Sequence, residues 1–268
     1  MRRLKIEWYL FEQRLLFSKR HLRYLKIGLI LYLLQLRWSR RAYVLRLGFV
    51  FLQVIDDYLD GDRRCEIEPY VYIQNLLLRA RKDQFLSDGI HLVGSELWRI
   101  WGSLPNGEEA KHITLALIEV MMSDRLRVQN HEIWTSNELS SHHRKTFQHS
   151  LDLTFIAIES PLRTNQLPEI LDVFGWCSSQ RDLDEDLHKG LCNIPLEVTE
   201  KLSTRKISPL WLQERAVQDW RNHSRKNAHQ SIQICEEKYP QFKKVPGHFV
   251  FKVFIKSMSR FYALQFNQ

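Results

Sequence analysis

Apolar positions along this chain recur at helical spacing through long stretches with no glycine or proline. Strict alternation of apolar and polar residues, the mark of a half-buried strand, is absent at useful length. Ten glycines and eight prolines in 268 residues fall well below the ordinary combined usage of about 12%. The pattern predicts one or two helices over residues 4–36, broken near Gly28, and another over 39–59 that ends at Gly61. Further helices are expected over 67–83 and 88–101, before a turn at Leu104-Pro105-Asn106-Gly107. Residues 108–129 read as one long helix. Ser136 and Glu138 open the next, which Pro161 stops at about residue 160. Pro168 starts a helix that the stretch from Gly190 to Pro195 ends, and helices over 211–239 and 249–266 complete the set. With no internal repeat and no low-complexity linker, one all-α domain of 268 residues is expected, and 44% apolar residues suffice for a substantial core.

The apolar run at residues 27–36 is too short to span a bilayer. Its flanks, Arg23 and Lys26 before and Arg37, Arg40 and Arg41 after, resemble neither a cleavable signal nor a transit peptide. It is expected as a buried core helix, with a membrane-surface anchor as the alternative. Residues 1–46 hold twelve Lys and Arg against Glu7 and Glu12, a net of +10 in a chain whose total is +8. A basic amino-terminal arm of this kind suits anionic lipid headgroups, hence possible peripheral membrane association, or a phosphorylated substrate. No nucleic-acid-binding motif accompanies it. Four scattered cysteines with no Cys-x-x-Cys pair suit a reducing, cytoplasmic setting and argue against a disulfide framework or a structural zinc site.

Chemistry concentrates in two carboxylate clusters, Asp56-Asp57-Tyr58-Leu59-Asp60 and Asp182-Leu183-Asp184-Glu185-Asp186. Residues four apart share a helix face, so Asp56 pairs with Asp60 and Asp182 with Asp186. Apolar stretches, 47–55 and 170–177, lead into each. Carboxylates turned inward are costly unless a cation neutralises them, and facing pairs would form an oxygen-ligand nest suited to Mg²⁺. Asp57 and Glu185 are further candidate ligands. Arg181 adjoins Asp182 and Lys189 lies three residues beyond Asp186, so both are candidate diphosphate-binding cations. Lone acidic runs are commonly solvated helix faces; the repeated spacing, with basic residues after each cluster, argues against that here. His142, His143 and His149 read as core or surface histidines, and His188 points off the carboxylate face.

The run Arg181-Asp182-Leu183-Asp184-Glu185-Asp186, followed by Lys189, Gly190 and Pro195, resembles the second aspartate motif of the squalene/phytoene synthases. Asp56-Asp57-Tyr58-Leu59-Asp60 resembles the first, and Met121, Met122 and Asp124 are similar to a segment before that family's middle helix. The resemblance covers roughly residues 37–200. It departs where the family has Gln and Asn five and three residues before the motif arginine, positions held here by Trp176 and Ser178. His142-His143-Arg144-Lys145-Thr146-Phe147 stands where the family carries a tyrosine-containing stretch.

The resemblance implies a class I isoprenoid synthase bundle with a central cavity between two aspartate-rich helices. Mg²⁺ on Asp56, Asp57, Asp60, Asp182, Glu185 and Asp186 would help ionise a prenyl diphosphate, and Arg181 and Lys189 would hold the leaving group. An allylic cation then needs a dry, aromatic-lined space, which a chain with 12% aromatic residues permits. Three functions follow: prenyl transfer joining two farnesyl or geranylgeranyl diphosphates; a terpene synthase or prenyl-diphosphate lyase acting on one; or a helical scaffold with a degenerate site. A further cofactor such as NADPH is neither indicated nor excluded.

Overall fold

The structure, a computed structural model, describes all residues except 1, 21, 38, 88, 205 and 265–268, and the backbone alone of residues 20, 22–25, 35–37 and 39. Among the described residues it is all-helical. The elements are α1 (Arg2–Arg20), α2 (Leu22–Arg37), α3 (Ser39–Leu59), α4 (Pro69–Arg81), α5 (Gly89–Trp101) and α6 (Gly107–Asn130). They continue with α7 (Ser136–Ala157), α8 (Glu169–Lys189), α9 (Leu196–Thr199), α10 (Arg215–Lys238) and α11 (Phe249–Leu264), with short 3₁₀ turns between. No helix among the described residues is long and apolar enough to cross a membrane. The contacts group the chain into two compact units, one of residues 1–122 with 156–159, the other of residues 123–155 with 160–268.

The first unit is built on α3 and α5. Leu47, Phe51, Val54 and Ile55 of α3 are buried, and Phe51 meets Trp98 of α5 edge-on at 5.9 Å between ring centroids. Pro69 opens α4, where the Glu68 carboxylate accepts the Val71 N–H at 2.9 Å and satisfies one of the amides a helix start leaves unpaired. Gly107 begins α6 against Trp101, whose carbonyl oxygen would lie 1.7 Å from any added Cβ, so only glycine fits there. Buried Arg46 joins the first three helices: it pairs with Glu7 of α1 at 2.5 Å, bonds the Tyr32 hydroxyl of α2 at 3.0 Å and lies over that ring. One of the twelve amino-terminal cations is therefore a core residue.

Two expectations for this region fail. No helical break falls near Gly28. Gly28 lies inside α2, where the absent side chain admits the Arg14 guanidinium. The run at 27–36 is also not a buried core helix. Ile27, Leu29, Ile30 and Leu33 are exposed by 38–58%, because Gly28 is the residue this turn of α2 buries. The burial of residues 35–36 lies outside the described side chains.

The second unit centres on α8. Acidic Glu169 and Asp172 open this helix and His188 and Lys189 close it, as the helix dipole favours. Ile170, Val173, Cys177, Leu183 and Leu187 are buried. Gly190 follows at φ +83°, its N–H donating to Asp186 and Leu187, and the Leu191 N–H reaches the Asp186 carbonyl at 2.8 Å. That left-handed cap ends the helix just past the second acidic cluster. Trp211 and Val217 pack against Leu183 and Leu187. The last helix buries Val250, Phe251, Ile255 and Met258.

Candidate functional site

In the first unit, the apolar stretch of α3 runs straight into the first cluster. Asp56 is half-buried, Asp57 is buried with 4% of its surface accessible, and Asp60 is exposed. One turn earlier, Gln53 Nε2 donates to Asp56 Oδ2 at 3.2 Å and Asp57 Oδ1 at 3.1 Å. The Asp60 N–H donates to the Asp56 carbonyl at 2.8 Å, so the helical register that pairs these two persists past Leu59. Asp57 has a structural partner as well: Arg63 lies 3.7 Å from its Oδ2 and donates its own N–H to the Asp57 carbonyl at 3.0 Å. Arg63 also bonds Gln13 of α1 and covers the Tyr58 ring. A buried carboxylate so held anchors the turn after α3, leaving Asp56 and Asp60 as the more accessible pair.

In the second unit, Leu183 and Leu187 are the buried anchors of the second cluster. Asp182 and Asp186 are both half-buried, whereas Asp184 and Glu185 are exposed. The i, i+4 pair therefore lies partly inward and the other two carboxylates face solvent. Arg181 grips Asp182 with two nitrogens, one at 2.8 Å, and Lys189 bonds Glu185 at 3.1 Å. Both cations are thus ion-paired to carboxylates of their own motif. The accessible Lys189–Glu185 pair contributes about 0–1 kcal/mol, whereas the Arg181 pair is bidentate, the geometry in which an ion pair counts for more. His188 is exposed, its Nδ1 2.8 Å from the Asp184 carbonyl oxygen.

Within either unit, no three His, Cys, Asp or Glu side chains among the described residues converge as ligands for one metal ion. Each motif instead presents a carboxylate pair. Mg²⁺ is commonly held by one or two carboxylates, with waters and substrate phosphates completing the shell, so the donor set at each motif fits that ion.

Sequence reasoning missed the support behind Asp186. Arg127 of α6 is almost wholly buried, 1% accessible. It donates to Asp124 Oδ1 at 2.9 Å, to Asn193 Oδ1 at 3.3 Å and to the Cys192 carbonyl, and it lies over the Trp134 ring at 4.1 Å. Asn193 passes the connection on, donating from Nδ2 to Asp186 Oδ2 at 2.9 Å. On the other side, His142 Nε2 is 2.9 Å from Asp124 Oδ2. A chain of polar groups, His142–Asp124–Arg127–Asn193–Asp186, thus ends on a motif carboxylate. Burial works to raise the Asp124 pKa, but hydrogen bonds from His142 and Arg127 outweigh it and hold the carboxyl below its usual range. His143, next along α7, is pushed down to about 4 by burial, with the neighbouring His142 adding to the effect. The i, i+3 spacing of Asp124 and Arg127 was legible; their partner Asn193 was not.

Beside this chain lies a cavity of about 530 Å³, walled by His143, Trp176, Gln180, Trp220 and Asn193 among others, a size common for small-molecule sites. Trp176 faces Phe261 and Tyr262 of α11 at 5.8 and 5.9 Å, and Phe174 stacks on Phe147 at 4.2 Å and meets Phe254 at 5.0 Å. Of these rings only Trp176, the residue standing in place of the expected Gln, lines the cavity, where Trp220 is the other aromatic and most of the remaining wall is polar. In comparisons with known proteins, no family model and no curated protein matches this chain.

Proposed function

We propose that this protein is a Mg²⁺-dependent isoprenoid synthase of the class I helical type. Its proposed reaction is squalene/phytoene synthase-like prenyl transfer between farnesyl or geranylgeranyl diphosphates. The observation that carries the reading is the second motif: Asp182 and Asp186 share one half-buried face, braced by Asn193 and flanked by the cations Arg181 and Lys189. When bound, Mg²⁺ supplies charge neutralisation to the departing diphosphate. Asp56 with Asp60 at the end of α3, and Asp182 with Asp186 on α8, would each offer a carboxylate pair to the ion. Arg181 and Lys189 release their carboxylate partners to bind phosphate oxygens, placing positive charge where negative charge develops. Asp57 and Glu185 would be further ligands, although Arg63 already engages Asp57. Trp176 and Trp220 in the cavity wall would offer ring faces to a cationic hydrocarbon, since such faces attract cations.

A second reading has its own support. Trp176 and Ser178 stand in place of the Gln and Asn that accompany prenyl transfer in the family resembled, which favours ionisation of a single prenyl diphosphate by a terpene synthase or lyase. Incubation with Mg²⁺ and C10 to C20 prenyl diphosphates, followed by mass spectrometry of a hexane extract, separates the two. A C30 or C40 hydrocarbon selects prenyl transfer, and a C10 to C20 product selects the lyase. No diphosphate release from any substrate refutes both and leaves a scaffold.

A further inference from the structure

The first unit carries an apolar face that its own core does not use. On α1, Ile6, Leu10, Gln13 and Phe17 are buried. Leu4, Trp8, Phe11 and Leu15 recur at spacings of four, three and four, which places them in one stripe on the opposite side of the helix. That stripe is open to solvent, with Leu4 74% and Trp8 70% accessible. Ile30 and Leu33 of α2, which packs on α1, are exposed too. Contiguous apolar surface on a folded protein marks an interaction site more often than chance exposure.

We propose that the α1–α2 hairpin is a docking face for an anionic bilayer surface, lying in the interface with the α1 stripe at the headgroup–acyl boundary. Charge chooses this occupant. Lys5, Lys19 and Lys26 are exposed on the same two helices, within a segment of net charge +10. Pairing with a second copy through this face would be isologous and would set each basic arm against its twin, whereas anionic lipid neutralises it. An amphipathic helix with Trp, Phe and Leu on one face and basic residues beside them has the composition of an interfacial helix, and tryptophan favours the headgroup level. Lys26, flanked by exposed Ile27, Leu29 and Ile30, has a long apolar stem that lets its ammonium reach the headgroups. The inference rests on the first unit alone and is independent of the prenyl-diphosphate reading.

Co-sedimentation of the full chain with vesicles of phosphatidylcholine, with and without phosphatidylglycerol, tests it. The expected result is binding to the anionic vesicles at least about tenfold tighter than to neutral ones at low salt, given the attraction of each basic residue to an anionic surface. Molar salt should weaken that binding without abolishing it, because the stripe contributes independently of charge. Combining Leu4→Ser, Trp8→Ser, Phe11→Ser and Leu15→Ser should lower binding at both salt concentrations while the circular-dichroism melt is unchanged. Should that variant lose its fold, the combination Lys5→Glu, Lys19→Glu and Lys26→Glu keeps the stripe and should erase the preference for anionic vesicles. Absence of binding to anionic vesicles at low salt overturns the proposal. So does a folded stripe variant that binds as tightly as the parent, or a solution dimer that the stripe variant dissociates while neither protein binds vesicles.

Discussion

Replacing Arg127 by Met removes the centre of the polar chain that braces Asp186 while keeping most of the side-chain volume. The guanidinium is almost fully buried and serves Asp124, Asn193 and the Cys192 carbonyl together. Deleting one partner of a buried charge pair costs about 3–5 kcal/mol, because the other charge is left uncompensated. Two features put Arg127→Met at the lower end of that range. The Asp124 side chain keeps 31% of its surface accessible, and His142 still meets its Oδ2 at 2.9 Å. A loss of about 3 kcal/mol should lower the melting temperature by about 6–12 °C, taking about 2–4 °C per kcal/mol for a chain of this general size. The assay is thermal and urea unfolding at neutral pH, with Asp124→Asn and the double variant alongside. If the cost is an unpaired Asp124 charge, the double variant will lose less than the two single losses added together. Acidification should narrow the gap between parent and Asp124→Asn. A carboxyl whose pKa is depressed in the folded state contributes stability above its unfolded value, and that contribution is lost as pH falls through the folded value. A melting temperature for Arg127→Met within about 2 °C of the parent, a change of under about 1 kcal/mol, would refute the bracing role.

His143 gives a second pH signature. Its pKa is depressed to about 4 by burial, so its neutral form supports the fold fully above the ordinary histidine value of about 6.5. That support is lost as pH falls from there toward 4, and His143→Asn should flatten the stability profile over this window by about 1–3 kcal/mol, read by urea titration at several pH values. Gly94→Ala should destabilise by about 1–3 kcal/mol, because its new Cβ would sit 2.6 Å from the Phe85 ring and 2.8 Å from the Phe51 ring. Gly28→Ala would put its Cβ 2.6 Å from Arg14 Nε, in a side chain that lies over the Tyr32 ring at 4.0 Å, and should destabilise less than Gly94→Ala because alanine is the better helix former; comparing the two melts checks both.

Helix limits were legible wherever a residue acts through its own backbone. Gly61 at φ +77°, Gly190 at φ +83° and Pro69 as the first residue of α4 end or begin helices close to the expected places. The four-residue α9 escaped notice, being shorter than any periodic signal. The facing of an apolar helix was not legible. Residues 27–36 are apolar nearly all round, so composition reads as core, and the exposed side emerges only once Gly28 is seen against Arg14. At the second cluster the i, i+4 rule separated half-buried Asp182 and Asp186 from exposed Glu185. At the first cluster the same rule could not assign Asp57, whose burial follows from Arg63 reaching back across the turn. Arg127 was hidden for a plainer reason: it meets Cys192 and Asn193 some 65 residues away, and no local pattern encodes that contact.

The proposed function requires each acidic motif for a metal-dependent diphosphate ionisation. Steady-state diphosphate release with Mg²⁺ and farnesyl diphosphate, measured for the parent, Asp56→Asn and Asp182→Asn, tests it most directly. The account predicts that each substitution lowers turnover by about a hundredfold or more, beyond the 10–100-fold typical of residues that merely support a metal ligand, with melting temperatures little changed. Turnover near that of the parent in either variant would contradict it and reduce that motif to a solvated helix face.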